Sequence, residues 1–162
     1  MIYTMDIDTA GKGVYPASAP LVTTIKVTKG LVYRVEIEFP PGAAGHHHVV
    51  IFDGGYQVWP STPGQTFHGG WSIIGFDDTY LKLAAPFEFK AYSWNLDETY
   101  DHLIQVRIGM VSNEVFMARY LPTYAYDHFA RVLEAQLKVQ EEKALEPITA
   151  PFPWIKTEET EE

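Results

Sequence analysis

LVYRVEIEF, residues 31–39, decides the fold. Leu31, Tyr33, Val35, Ile37 and Phe39 fall on one face, with Arg34, Glu36 and Glu38 opposite. Alternation of period two describes a strand with one face in a core and the other in water. In the stretch before it, LVTTIKV at 21–27, Leu21, Thr23, Ile25 and Val27 share a face. Lys29-Gly30 supplies a turn, so the pair reads as an antiparallel hairpin. PPGAAG, residues 40–45, ends it.

The pattern continues along the chain. HHHVVIFD (46–53) turns at Gly54-Gly55 into YQVW (56–59). WSIIGF (71–76) is followed by a break at Asp77-Asp78 and then TYLKL. FEFKAYSW (87–94) turns Phe87, Phe89 and Ala91 inward and Lys90, Tyr92 and Trp94 outward. HLIQVRIGM (102–110) turns Ile104, Val106, Ile108 and Met110 inward, and EVFMARY (114–120) reads as a last strand. Short strands between turn residues, with no helical pattern among them, predict a mainly β fold: an antiparallel β-sandwich or jelly roll over residues 21–121. Residues 1–20 have strand character from Ile2 to Ile7 but carry Gly11, Gly13, Pro16 and Pro20, and are expected to form an N-terminal arm.

After Pro122 the period changes. Tyr126, Phe129, Ala130, Leu133 and Leu137 recur at spacings of three and four, the mark of an amphipathic helix. The helix is expected over 122–146, capped by Thr123 and stopped by Pro147. Residues 147–162 form an extended acidic tail with Phe152, Trp154 and Ile155 as apolar anchors. Of the net charge of −9, the stretch 134–162 supplies −5, from eight Glu against three Lys.

Composition narrows the functions open to such a chain. There is no cysteine, so disulfides and thiolate metal sites are excluded. No basic stripe is present to bind nucleic acid. No apolar run is long enough to span a bilayer as a helix. The first residues, MIYTMDIDTAGKG, lack the basic and apolar regions of a signal peptide. No nucleophile elbow, phosphate loop or dinucleotide fingerprint occurs.

Three groups of residues carry candidate chemistry. His46 and His48 share a strand face, as paired imidazole ligands do in cupin jelly rolls, with His68 or His102 as a possible third ligand. The resemblance covers only GHHHVVIFDGG. The cupin pattern wants Glu where Ile51 or Phe52 stands, and Asp53 comes one place late, so no metal is assigned. Asp53, Asp77, Asp78, Asp97, Glu98 and Asp101 all fall in expected turns, where calcium loops or plain turn chemistry use the same residues. Trp59, Trp71 and Trp94 could build a sugar-stacking platform, with Trp94 on an outward stripe, although a second packed layer would bury that stripe. No catalytic residue or cofactor is assigned.

The run from LVYRVEIEFPPG through IFDGGYQVWPS to FEFKAYSWNLDETYDHLIQVRIG resembles small β-sandwich virion proteins of tailed bacteriophages, over about half of the chain. That class comprises capsid decoration, neck and tail-associated proteins. The resemblance implies a non-enzymatic assembly role in a virion, homo-oligomerisation, and contacts to capsid, connector or tail subunits, without nucleic acid or membrane. Phe152, Trp154 and Ile155 are the expected interface anchors, because aromatic side chains dominate binding energy at interfaces. A cupin-like metal protein and a carbohydrate-binding module are the alternatives.

Overall fold

The computed structural model describes residues 1–112, Val115 and 126–145, with side chains of the last stretch described over 128–142. Its strands are β1 (Ile2–Thr9), β2 (Leu21–Lys26), β3 (Gly30–Phe39), β4 (His47–Asp53), β5 (Tyr56–Trp59), β6 (Phe67–His68), β7 (Ser72–Lys82), β8 (Glu88–Asn95) and β9 (His102–Val111). Among the described residues a helix, α1 (Tyr126–Leu145), follows. The strands form two antiparallel sheets. Sheet A has the order β1-β9-β3-β7. Sheet B has the order β2-β8-β4-β5, with β6 also pairing β4. This is the mainly β sandwich with a C-terminal helix that the alternation predicted.

The core lies between the sheets. Val35, Ile37, Ile104, Val106 and Ile108 from sheet A meet Ile25, Val49, Ile51, Phe89 and Ala91 from sheet B, all closed to solvent. Burial of this many branched side chains is the main force holding the sheets together, at about 25 cal/mol per Å² of apolar surface.

Four expectations are corrected. β2 and β3 are not a hairpin: β2 pairs β8 in sheet B, while β3 pairs β7 and β9 in sheet A. Residues 27–29 carry the chain from one sheet to the other, so Lys29-Gly30 joins layers rather than neighbours. Residues 1–20 are not a free arm. β1 pairs with β9 along its whole length, from Ile2 opposite Gly109 to Thr9 opposite His102, and Ile7 enters the core. Further on, Ala17 packs on a second buried cluster, Val50, Phe52, Tyr92 and Trp94, on the outer side of sheet B. Tyr33 does not face the core. The register of β3 shifts between Val32 and Arg34 against both neighbours, a β-bulge that turns Val32 inward in its place. The Tyr33 ring then lies over Gly109, where a Cβ would meet it at 2.8 Å.

Asp77-Asp78 does not break the chain either; β7 runs straight through it. Asp77 points to solvent and accepts from Arg34 at 2.9 Å, while Asp78 accepts from the Trp59 indole nitrogen at 2.5 Å. Each carboxylate therefore has a partner on its own side of the strand. The helix keeps the expected face: Phe129, Ala130, Leu133 and Leu137 are half-buried and their neighbours exposed. Gln140 reaches from α1 to the outer edge of β7, accepting from the Leu83 amide at 2.8 Å and donating to the Leu81 carbonyl. The expected last strand at 114–120 lies outside the described residues except for Val115, whose backbone is helical. Thr123 and the tail 147–162 also lie outside them.

Candidate functional site

One end of the sandwich gathers four connections: residues 10–13, 40–46, 69–71 and 95–101. Backbone bonds knit them together. Gly45 donates to the Gly69 carbonyl at 3.1 Å, Leu96 to His46 at 2.9 Å and Lys12 to Asp97 at 2.9 Å. At Gly70 the packing leaves no room for a side chain, since a Cβ would stand 2.9 Å from the Ala44 nitrogen. Asp97 organises the 95–101 turn. Its Oδ1 accepts from the amides of Thr99 and Tyr100, and its Oδ2 lies 3.0 Å from His102 Nε2. These bonds, led by the two backbone amides, hold its carboxyl down at about 2.

On this braced end apolar side chains point outward. Trp71 is 82 % exposed, Tyr100 67 % and Leu96 54 %. Trp71 sits at φ 49°, in the left-handed region that bulky residues avoid. Beside it, Trp71 and Ile73 with Phe39, Pro40 and Pro41 line a hollow of about 270 Å³. Sequence reasoning placed Trp71 at the start of a strand and named it for a stacking platform with Trp59 and Trp94, but missed the backbone conformation that displays it. No residue pattern announces a left-handed tryptophan.

The histidines divide between two environments. His48 pairs with His68 across β4 and β6, stacks on Trp94 with ring centroids 5.4 Å apart, and shares a hydrogen bond with Thr66 at 2.8 Å. His46 turns away, its Nδ1 3.8 Å from Asp97 Oδ2. The expected pairing of His46 with His48 and His68 is therefore not assembled. Among the described residues no group of three His, Asp or Glu side chains is placed to hold a metal ion. His47 is closed to solvent, and neither ring nitrogen has a hydrogen-bond partner among the described residues. Burial, helped by nearby His102 and His48, lowers its pKa to about 4; His48 is lowered to about 4 by burial, His68 and His46.

The other candidates are relocated. Trp94 and Tyr92 are buried in the outer cluster, so the outward stripe of β8 is no sugar platform. The six acidic residues do not converge: Asp97, Glu98 and Asp101 lie at the loop end, Asp77 and Asp78 in mid-strand, and Asp53 at the opposite end. Asp53 is buried there and meets Lys82 Nζ at 2.5 Å, with Tyr80 donating to its other oxygen at 2.7 Å. Tyr80 in turn shares a hydrogen bond with Tyr56. Tyr56 and Tyr80 also floor a mostly apolar cleft of about 490 Å³ beneath α1, walled by Val132, Ala135 and Val139. Phe152, Trp154 and Ile155, the expected anchors, lie outside the described residues.

Comparison with family models, characterised proteins and solved structures gives no match. No helix among the described residues is long and apolar enough to cross a membrane.

Proposed function

We propose that the chain is a non-enzymatic assembly protein that docks further copies of itself and neighbouring structural subunits through its loop end. Trp71 carries this reading. A bulky residue held at positive φ costs about 1–3 kcal/mol, and such strain persists where the surroundings enforce it for a purpose. Here the surroundings enforce the display of an indole to solvent beside Ile73, on the same end of the sandwich that exposes Tyr100 and Leu96. Large aromatic anchors on a rigid support are what protein interfaces use. The resemblance to tailed-phage β-sandwich proteins supplies the partner class, capsid, connector or tail subunits, and with it a place in the virion. Phe152, Trp154 and Ile155 give a second contact in the same scheme.

The native mass of the full chain tests the proposal. Wild type is expected to exceed the monomer mass at about 0.1 mM. Trp71→Ala should shift it to the monomer while leaving the unfolding midpoint in place when both are compared at a dilution where wild type is also monomeric. A wild-type chain that stays monomeric, or an oligomer indifferent to Trp71→Ala, sinks the loop end as the docking face.

A further inference from the structure

We propose that Lys82 and Asp53 react with one another to form an intramolecular amide bond, a covalent clamp between the two sheets. Asp53 ends β4 in sheet B, and Lys82 ends β7 in sheet A. Their side chains are 8 % and 2 % exposed and touch at 2.5 Å. An N···O contact of that length sets the nitrogen about 3–3.5 Å from the carboxyl carbon, which is near-attack distance. Phe89 lies under the ammonium, 5.7 Å from its ring centre. Tyr80 packs edge-on against both Phe89 and Trp59, and Trp59 lies tilted against Phe89, so aromatic rings cluster beside the ammonium.

Two opposite charges so deeply buried give little stability as an ion pair, because desolvation offsets their attraction. Condensation removes both charges. A proton passes from Nζ to Oδ1 along the contact, leaving an amine beside a carboxylic acid. The nitrogen lone pair attacks Cγ and forms the C–N bond. A second proton passes from nitrogen to Oδ1, the Cγ–Oδ1 bond breaks, and water departs. Oδ2 remains as the amide oxygen. No oxidant or reductant is needed, and the atoms balance as ammonium plus carboxylate giving amide plus water.

Tyr80 suits this step. Its hydroxyl donates at 2.7 Å to Oδ2, the oxygen that carries negative charge while Cγ is tetrahedral. Burial, then the Asp53 charge, raises the Tyr80 pKa, so the hydroxyl keeps its proton and remains a donor. Tyr56 holds Tyr80 in place from the cleft side. In a chain without cysteine, this bond does what an inter-sheet disulfide does elsewhere. The inference is independent of the docking proposal, since it concerns the opposite end of the sandwich.

Intact mass of the purified wild-type chain, measured denatured, decides it. The expected mass is about 18 Da below the sequence mass, one water lost. Trypsin should fail to cut after Lys82, and fragmentation should show a branched peptide joining the segments around residues 53 and 82. Lys82→Arg should restore the full sequence mass, and Tyr80→Phe should leave a larger unreacted fraction. A wild-type mass equal to the sequence overturns the proposal. So does the same loss in a linear peptide, because Asp53 can also lose water by cyclising onto the Gly54 nitrogen.

Discussion

The two ends of the sandwich break the usual division of polar and apolar side chains in opposite directions. At the loop end, Trp71, Leu96 and Tyr100 stand in water. At the other end, Asp53, Lys82 and the Tyr80 hydroxyl are withdrawn from it. The first arrangement gives up burial energy and tolerates backbone strain. The second takes an amine and a carboxyl side chain out of water. Neither helps the fold as much as its conventional replacement would, yet they sit on one scaffold whose core is ordinary. The contrast separates the residues that hold the sheets together by packing from those placed for another purpose.

The contrast is most easily broken at the buried end. Lys82→Met removes any Lys82–Asp53 link and leaves the Asp53 carboxylate buried without its partner, and is expected to lower unfolding free energy by about 3–5 kcal/mol in urea titration. Adding Asp53→Leu should recover part of that loss by removing the unpaired charge. A Lys82→Met variant as stable as wild type would mean that the pair has no structural weight.

A smaller effect comes from His47 at the loop end. Its folded pKa of about 4 lies below the unfolded value near 6.5, so the unfolded chain binds more protons between those limits. Stability is therefore full above about pH 6.5 and falls toward pH 4, by about 3 kcal/mol from this residue. The Asp97 carboxyl, held at about 2, adds a further loss as pH drops from about 4 toward 2. Urea midpoints measured across this range should show the first decline, to which His48, also held at about 4, adds, and His47→Leu should make it shallower. An unchanged slope in that variant would assign the acid sensitivity elsewhere.

Trp71→Gly carries the smallest expected change in stability and sharpens the comparison most. Glycine accepts φ 49° without strain, so the variant should be no less stable than wild type, with a gain of up to about 1 kcal/mol. A drop of more than about 1 kcal/mol would make Trp71 a packing residue and remove the contrast.

Much of the fold was legible, and for a local reason. Alternation is written residue by residue, so Val35, Ile37, Phe39 and the inward set Ile104, Val106, Ile108 and Met110 could be placed from the sequence. Sheet membership is a long-range property. Nothing between Val27 and Gly30 says that the chain is changing layers, and a turn-like Lys29-Gly30 suggested a hairpin instead. The bulge that expels Tyr33 depends on neighbours on both sides of β3 and leaves no mark in β3 itself. The sites were harder still. Reading Asp77-Asp78 as a break hid the continuous inward face of β7, on which Asp78, Tyr80 and Lys82 follow Ile74 and Phe76. Asp53 looked like a turn residue because Gly54-Gly55 follows it; its burial comes from Lys82, far along the chain. The histidine run was conspicuous, but alternation separates His47 from its neighbours, and the loop geometry sends His46 to Asp97.

Gln140 has one more consequence. A sheet grows when a new strand offers an amide and a carbonyl to the open edge, and an exposed edge is a template for that growth. On β7 and just beyond it, the Leu83 amide and Leu81 carbonyl are already taken by a single side chain from α1. The helix thus acts as a stopper. Strand addition at this point of the β7 edge requires α1 to be lifted first.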